Sequence, residues 1–217
     1  MKHAVRGAAL AVTLLASAGC GSLLDTDLPA STSYVLAPVP AASTGIARSE
    51  ADISIGRPDV APGLDTERIA VLRGRQLDYY RAAQWGGRMT EVVQTLIVDS
   101  FEDQQLFRSV TSEQARVPGE YVLDVSVRDF QAEYAGASEA PTAHVTITGR
   151  LIRVTDRQLV ETFAASAQSK ANDNRMTDVA AAFETAAHKV VLELAQKTAA
   201  TIAADTSKAK TAGAGDG

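Results

Sequence analysis

Residues 121–130 alternate between apolar and polar side chains, and this pattern constrains the fold of the chain more than any other feature. Successive side chains of a β-strand point to opposite faces, so Leu123, Val125 and Val127 share one face. The opposite face is polar and wet, which favours an antiparallel sheet. Gly149, inside another strand-like run, indicates a bulge or a close backbone approach. Further strands are predicted at residues 34–36, 51–56, 68–72, 76–80, 107–110, 144–154 and 158–168.

In two other segments the apolar residues recur every three or four positions, which is typical of amphipathic helices. The first runs from about residue 88 to about residue 104, and the second begins near Thr177, an N-cap residue type, and continues to about residue 202. Two main helices on one face of a mostly antiparallel sheet make the predicted fold an α+β two-layer sandwich. The apolar stripes consist of Met89, Val92, Val93, Leu96, Ile97 and Phe101, and of Val179, Phe183, Ala186, Val190, Leu194 and Ile202.

The N-terminus is typical of a secretory signal peptide over residues 1–19. Basic side chains precede an apolar run at residues 8–16. That run is too short to cross a bilayer, for which a helix needs roughly 20 residues. Small residues stand directly before Cys20, the single cysteine, so the junction resembles the lipobox of bacterial lipoproteins, whose cysteine is acylated. A plain cleaved signal that leaves a free thiol is the alternative.

These features divide the chain into four parts. Residues 1–19 form the signal peptide, residues 20–33 a lipidated N-terminus and linker, and residues 34–202 one α+β domain. Residues 203–217 are small and polar and are predicted to form a disordered tail. In the lipobox resemblance, the absence of Asp after Cys20 implies sorting to the outer membrane of a Gram-negative envelope, where the domain faces the periplasm.

Charge and motifs argue against nucleic-acid binding and against catalysis. A chain with a formal net charge of −5 lacks the cationic face that phosphate backbones require. His144 and His188 are expected to face solvent, and neither belongs to a recognisable nucleophile motif or zinc-ligand spacing. The sequence also contains no Gly-rich phosphate loop. We therefore expect a protein that is not an enzyme and that binds no metal or cofactor.

Two charged clusters and one aromatic cluster are candidate interaction sites. The arginines flank a predicted hairpin and are candidates for contact with an acidic partner or anionic headgroups, with ordinary surface charge as the alternative. The acidic residues suggest a cation site, but a solvated helix face is favoured because no calcium-type loop accompanies them. The aromatic residues are predicted to plug the core under the first helix, with an exposed interface anchor as the alternative. The three clusters are Arg150, Arg153 and Arg157; Asp99, Glu102 and Asp103; and Tyr79, Tyr80 and Trp85.

Several short motifs follow one another along the chain. After the lipobox come Tyr34-Val35-Leu36, residues 64–71, Leu77-Asp78-Tyr79-Tyr80, Trp85 opening a helix, residues 121–125 and residues 179–186. In this order they resemble the ABC-type transport auxiliary lipoprotein family, to which the C component of the Pqi system belongs, over about residues 34–196. Gly86-Gly87 departs from the pattern of that family, which has larger or more polar residues after the Trp.

The resemblance implies a non-enzymatic periplasmic subunit that is held at the outer membrane through acylated Cys20. Such a subunit works with an MCE-domain protein and an inner-membrane ABC permease and ATPase that move lipids or other hydrophobic molecules. A ring of identical subunits that each offer the same surface to the partner is a further expectation. The alternative function is a structural or assembly lipoprotein that activates or scaffolds an envelope enzyme complex, as activators of penicillin-binding proteins do.

Overall fold

A computed structural model describes residues 31–41, 46–115, 119–136 and 139–213 of the chain. The predicted signal peptide, Cys20 and most of the predicted linker lie outside these residues. The first described strand begins at Thr32, two residues before the predicted boundary at residue 34. Thr32 and Ser33 join it because they pair with another strand, which their small, polar side chains do not indicate.

One mixed sheet of nine strands forms the first layer. Its long ladders, β7 with β8 and β8 with β9, are antiparallel, as is the β4–β5 hairpin. The shorter pairings of β1 with β5, of β2 with β6, and of β2, β3 and β4 with β7 are parallel. The strands are β1 (Thr32–Tyr34), β2 (Asp52–Ile55), β3 (Asp59–Val60), β4 (Arg68–Arg73), β5 (Gln76–Trp85), β6 (Ser109–Ser112), β7 (Tyr121–Glu133), β8 (Thr142–Arg153) and β9 (Gln158–Lys170).

Three of these parallel pairings arise because the short strands β2, β3 and β4 share one edge of the long strand β7. Ile53 of β2 lies opposite Tyr121, near the start of β7, and Ala70 of β4 lies opposite Gln131, near its end. Strand β3 pairs with β7 between these two positions. The turn-rich link that contains Pro58 therefore follows β7 along its length, and the sequence analysis missed the strand β3 within it.

Two helices form the second layer and contact each other as well as the sheet. They are α1 (Met89–Gln104) and α2 (Met176–Gly213). The predicted α+β class with two main helices is confirmed. Among the described helices, none combines the length and apolarity that crossing a membrane requires.

Helix α2 ends later than predicted, and the predicted disordered tail at residues 203–217 is wrong as far as Gly213. Tertiary contacts extend this helix. Ile202 is buried, and Asp205 accepts hydrogen bonds from Arg153 on β8 and from the Tyr121 hydroxyl on β7. Neither partner is visible in the local composition, which is small and polar.

Three aromatic rings at the centre of the core join the sheet to helix α2. The rings of Trp85 and Phe183 are 5.2 Å apart and nearly perpendicular, and Phe130 stacks on Phe183 at 5.3 Å. Trp85 is 1% exposed, which confirms its predicted core role. Of the predicted apolar stripes, Leu96, Ile97 and Val190 are likewise buried, whereas Val92 is half-buried.

Candidate functional site

The start of helix α1 is held by a residue distant in sequence. The N-cap residue Arg88 makes no side-chain capping bond, and Asp65 supplies the missing acceptor. Its Oδ1 accepts from the Thr90 amide at 3.3 Å and from the Thr90 hydroxyl at 2.6 Å, while Oδ2 pairs with Arg88 at 2.8 Å. Chiefly because of the hydrogen bond from Arg88, the pKa of Asp65 is lowered from 3.8 to about 2.

Residues 35–40, termed here the N-terminal segment, lie against both helices. On the α2 side, Glu184 Oε2 accepts from the Ala37 amide at 3.0 Å, and His188 Nε2 lies 2.8 Å from the Ala37 carbonyl oxygen. Glu184 and His188 are one helical turn apart, so together they satisfy both backbone groups of Ala37. His188 was expected to face solvent, but it is half-buried and holds this segment.

Helix α1 holds the same segment from the other side. The Val39 amide donates to Ser100 Oγ at 2.9 Å, and Gln104 Nε2 donates to the carbonyl oxygens of Val39 at 3.2 Å and Pro40 at 2.9 Å. Val39 itself is buried. The N-terminal segment is therefore fixed to two helices, and β1 fixes the residues before it to β5.

Between the N-terminal segment and helix α1 lies a groove of about 300 Å³. One wall consists of Val35, Leu36 and Pro38, and the opposite wall includes Val92 and Leu96 of α1. Val35 is an exposed large apolar residue, with 78% of its surface accessible. This feature, termed here the N-terminal groove, presents an apolar floor to the surroundings of the protein.

Gly86 and Gly87 keep one end of the N-terminal groove open. A Cβ atom on Gly86 would lie 3.0 Å from Val35 Cγ1, and one on Gly87 would lie 3.2 Å from Glu91 Oε2. The Gly86 amide donates to the Tyr34 carbonyl at 2.8 Å, so the backbone of this turn lies directly beside the segment. The pair that departs from the expected pattern thus makes room where the groove forms.

The N-terminal groove is acidic. Glu91 and Asp99 line it, both are exposed, and neither forms an ion pair with any residue that the structure describes. None of its lining residues is basic. Of the predicted acidic cluster, Glu102 lines a different depression, beside Arg48 and Arg108. Over the described ranges, no group of three or more His, Cys, Asp or Glu side chains is placed to hold a metal ion.

The three candidate arginines of the β8–β9 hairpin differ in what they contact. Arg153 lies 2.6 Å from Asp205 and 2.6 Å from Asp156, and its hydrogen bond holds the pKa of Asp205 below its ordinary range. Arg153 is therefore a structural link between the hairpin and α2. Arg150 is half-exposed beside Asp124 at 3.6 Å. Arg157 occupies the hairpin turn with a φ of 57° and forms no ion pair with the described part of the chain.

The second predicted solvent-facing histidine, His144 on β8, is also partly buried. Its Nε2 lies 3.6 Å from Glu133 Oε2 on the neighbouring strand β7. The two histidines have different partners, because His144 lies beside Glu133 and His188 beside the Ala37 carbonyl oxygen. Cys20, the predicted lipid attachment point, lies outside the described residues.

The N-terminal groove could not be predicted as a unit from the sequence. Gly86-Gly87 and Asp99 stand out in the sequence, but nothing local indicates that residues 35–38 lie beside them. The apolar pair Val35-Leu36 just before Pro38 is the local signal that the sequence offers.

Known proteins share both sequence and fold with this chain. The family model described as ABC-type transport auxiliary lipoprotein component matches residues 34–195. The crystal structure of protein XCC0632 from Xanthomonas campestris, assigned to DUF330, is 26% identical with a TM-score of 0.75, covering 82% of this chain and 99% of that chain.

Two more distant structures share the fold alone. An uncharacterized protein is 12% identical with a TM-score of 0.58, covering 76% of this chain and 99% of its own. The hypothetical protein CT253 from Chlamydia trachomatis is 8% identical with a TM-score of 0.51, covering 72% and 99%. No curated protein matches the chain.

Proposed function

Because the chain belongs to the family of ABC-type transport auxiliary lipoprotein components, we propose that it is a lipid-anchored, non-enzymatic subunit of an envelope transport system. Its partners are an MCE-domain protein and an inner-membrane ABC permease and ATPase, and its cargo is a lipid or another hydrophobic molecule. The observation that carries the proposal is the family match, which spans strands β2 to β9, helix α1 and about half of helix α2.

The attachment of the N-terminal segment supports a tethered role. In this proposal Cys20 is acylated and holds the domain at the periplasmic face of the outer membrane of a Gram-negative bacterium. In this proposal residues 21–31 form a flexible linker, which would span about 17–20 Å, taking 5–6 Å times the square root of its length. Strand β1 and both helices fix residues 32–39, so the chain joins the folded domain at Thr32.

The anchor has its own test. Intact mass of the membrane-extracted protein should show a lipid increment, and a Cys20→Ser variant should leave the membrane fraction. Several acyl chains, each contributing about 0.8 kcal/mol per buried methylene, hold a protein durably on a bilayer. A mature mass without that increment, or a Cys20→Ser protein that still sediments with membranes, would remove the anchor from the proposal.

The docking role is tested by recovering partners from crosslinked native membranes. We expect an MCE-domain protein and an ABC permease in the eluate, and no ATP or ester hydrolysis by the purified protein alone. Recovery of a peptidoglycan synthase in their place would favour the alternative, an assembly lipoprotein of an envelope enzyme complex. A ring of identical subunits remains part of the proposal, and mass photometry would contradict it by showing monomers at all concentrations.

The β8–β9 hairpin is the first candidate partner surface. Its candidate residues are now Arg150 and Arg157, because Arg153 is bound to Asp205. Changing both to Glu should weaken recovery without unfolding the protein, because exposed ion pairs contribute only about 0–1 kcal/mol. Arg153 is left intact, since reversing its charge would break the link to Asp205. Matched controls are Arg128→Glu and Lys189→Glu, two exposed basic residues elsewhere on the domain. Undiminished recovery of the partners by the double variant would exclude the hairpin as the partner surface.

A further inference from the structure

We propose that the N-terminal groove binds an extended peptide segment of a partner protein in which two basic residues flank an apolar one in the pattern basic-x-apolar-x-basic. This inference deepens the proposed function, because it assumes that the domain docks a protein of the transport system. The shape, the charge and the rigidity of the groove favour such a segment.

The spacing of the two carboxylates sets the pattern. Glu91 and Asp99 are eight residues apart on α1 and both line the groove, which corresponds to a rise of about 12 Å along the helix axis at 1.5 Å per residue, with a rotation of about 80° between the two side chains. An extended peptide rises about 3.3 Å per residue and places every second side chain on one face. Its residues i and i+4 are therefore about 13 Å apart on the same face, and residue i+2 lies between them. Basic side chains at i and i+4 can reach the carboxylates while the apolar residue enters the groove.

The floor and walls of the groove suit that central side chain. Val35, Leu36 and Leu96 are apolar, and the volume of about 300 Å³ is at the lower end of the range for ligand sites. Gly86 leaves the end of the groove open, so a chain can enter and leave along it. A site of this size accepts one or two aliphatic side chains.

The charge of the groove favours a cationic peptide over an anionic lipid. Its two carboxylates have no ion-pair partner among the described residues, and no basic side chain lines the groove to receive a phosphate. A basic partner neutralises the two carboxylates, whereas an anionic headgroup is repelled by them. Complementary charge of this kind gives specificity and speeds association.

The groove is also preorganised. The N-terminal segment forms one wall, and four side chains of two helices hold its backbone at Ala37 and Val39. A wall that is already fixed does not need to be ordered on binding, which reduces the entropic cost of association.

The probe for the experiment is a fluorescein-labelled peptide, Ser-Lys-Ser-Leu-Ser-Lys-Ser, titrated by fluorescence anisotropy with the purified full-length protein in a neutral detergent. Two comparison peptides control for charge and for partition into micelles. One has the same composition but places its two lysines three residues apart, and the other replaces both lysines by glutamate. We expect saturable binding of the first peptide only.

The protein variants isolate the carboxylates. Glu91→Gln combined with Asp99→Asn should weaken binding by about two- to fivefold for each carboxylate, the range of exposed ion pairs. The matched control, Glu102→Gln combined with Asp103→Asn, removes the same charge from the same helix outside the groove and should leave binding unchanged. Binding should also weaken from 0.05 to 0.5 M salt, because screening shortens the range of the attraction. Circular dichroism verifies that both double variants are folded.

Several results would overturn the inference. Equal binding of the patterned and rearranged peptides would show that the spacing of the lysines does not matter. An equal loss of affinity in the control variant would exclude the groove as the binding site. Displacement of the peptide by phosphatidylcholine vesicles would make the groove a lipid site, and self-association abolished by Glu91→Gln and Asp99→Asn would make it a subunit interface. If the peptide fails to bind while the native MCE partner is still recovered, this inference falls and the proposed function stands. Failure to recover that partner would count against the function alone.

Discussion

Replacing Phe183 by Ala should destabilise the domain by about 4–5 kcal/mol. Truncating a buried Phe to Ala typically costs about 3–5 kcal/mol. The structure places this position near the upper end, because the side chain is fully buried and its ring lies 5.2 Å from Trp85 and 5.3 Å from Phe130. Such aromatic pairs contribute about 0.5–1.5 kcal/mol each beyond the area they bury.

The surroundings of Phe183 also limit relaxation of the cavity. Trp85 belongs to β5 and Phe130 to β7, and both strands are paired on two sides within the same sheet. Neither ring can move into the space without disturbing those ladders, so most of the cavity should persist. For a domain of this size, each kcal/mol lowers the melting temperature by about 2–4 °C, which gives a loss of about 8–20 °C.

The assay is thermal and urea unfolding followed by circular dichroism. Lys189→Ala, an exposed change on the same helix, should alter stability by no more than about 0.5 kcal/mol. Phe183→Leu should give an intermediate loss, because it retains part of the apolar volume. If Phe183→Ala melted at the temperature of the parent protein, the placement of this helical face against the sheet would be refuted.

Three further predictions follow from contacts outside the aromatic centre. The stability that Asp65 supplies is fully present above its ordinary pKa of 3.8 and is lost as the pH falls towards about 2, because Arg88 lowers its folded-state pKa. The Asp65→Asn variant should therefore show a weaker dependence of the urea midpoint on pH between pH 4 and pH 2. The same dependence in the variant as in the parent protein would contradict this. Asp205→Ala should lower the urea midpoint and speed hydrogen exchange in the last turns of α2, because Arg153 then loses its partner; unchanged protection there would show that the pair is dispensable. A protein beginning at residue 31 should give the circular dichroism spectrum of an α+β domain, whereas a random-coil spectrum would mean that earlier residues are needed for folding.

Local periodicity was sufficient to predict the main elements. The apolar stripe at residues 88–104 predicted α1 almost to its ends, because a helix must bury one face and its spacing reports that face directly. The alternation at residues 121–130 likewise predicted β7, although pairing extends that strand to Glu133. Gly149 was correctly singled out, but the close approach comes from side chains: a Cβ there would lie 2.9 Å from the Phe163 ring and 3.0 Å from Leu123.

Elements that depend on distant partners were not predictable in this way. Strand β3 is too short for its period to be recognised, and it exists because β7 offers an edge at that position. Helix α2 continues beyond Ile202 because Asp205 meets Arg153, a residue far away in the sequence. In its last turns the hydroxyls of Thr206, Ser207 and Thr211 donate to carbonyl oxygens four residues earlier. The same bond removed Arg153 from the candidate partner surface, a result that its position beside Arg150 and Arg157 does not indicate.

The sequence by itself therefore determined the α+β class, the family and the apolar faces of the two helices and of β7, because hydrophobic spacing and motif order are local properties. Only the tertiary structure decided where the N-terminal segment lies and what it forms. Ala37 and Val39 are bound by helices whose residues are distant in the sequence, and the groove appears where that segment meets Gly86 and α1. Hydrogen bonds from single backbone groups to distant side chains leave no periodic trace, so their outcome is fixed only when the chain has folded.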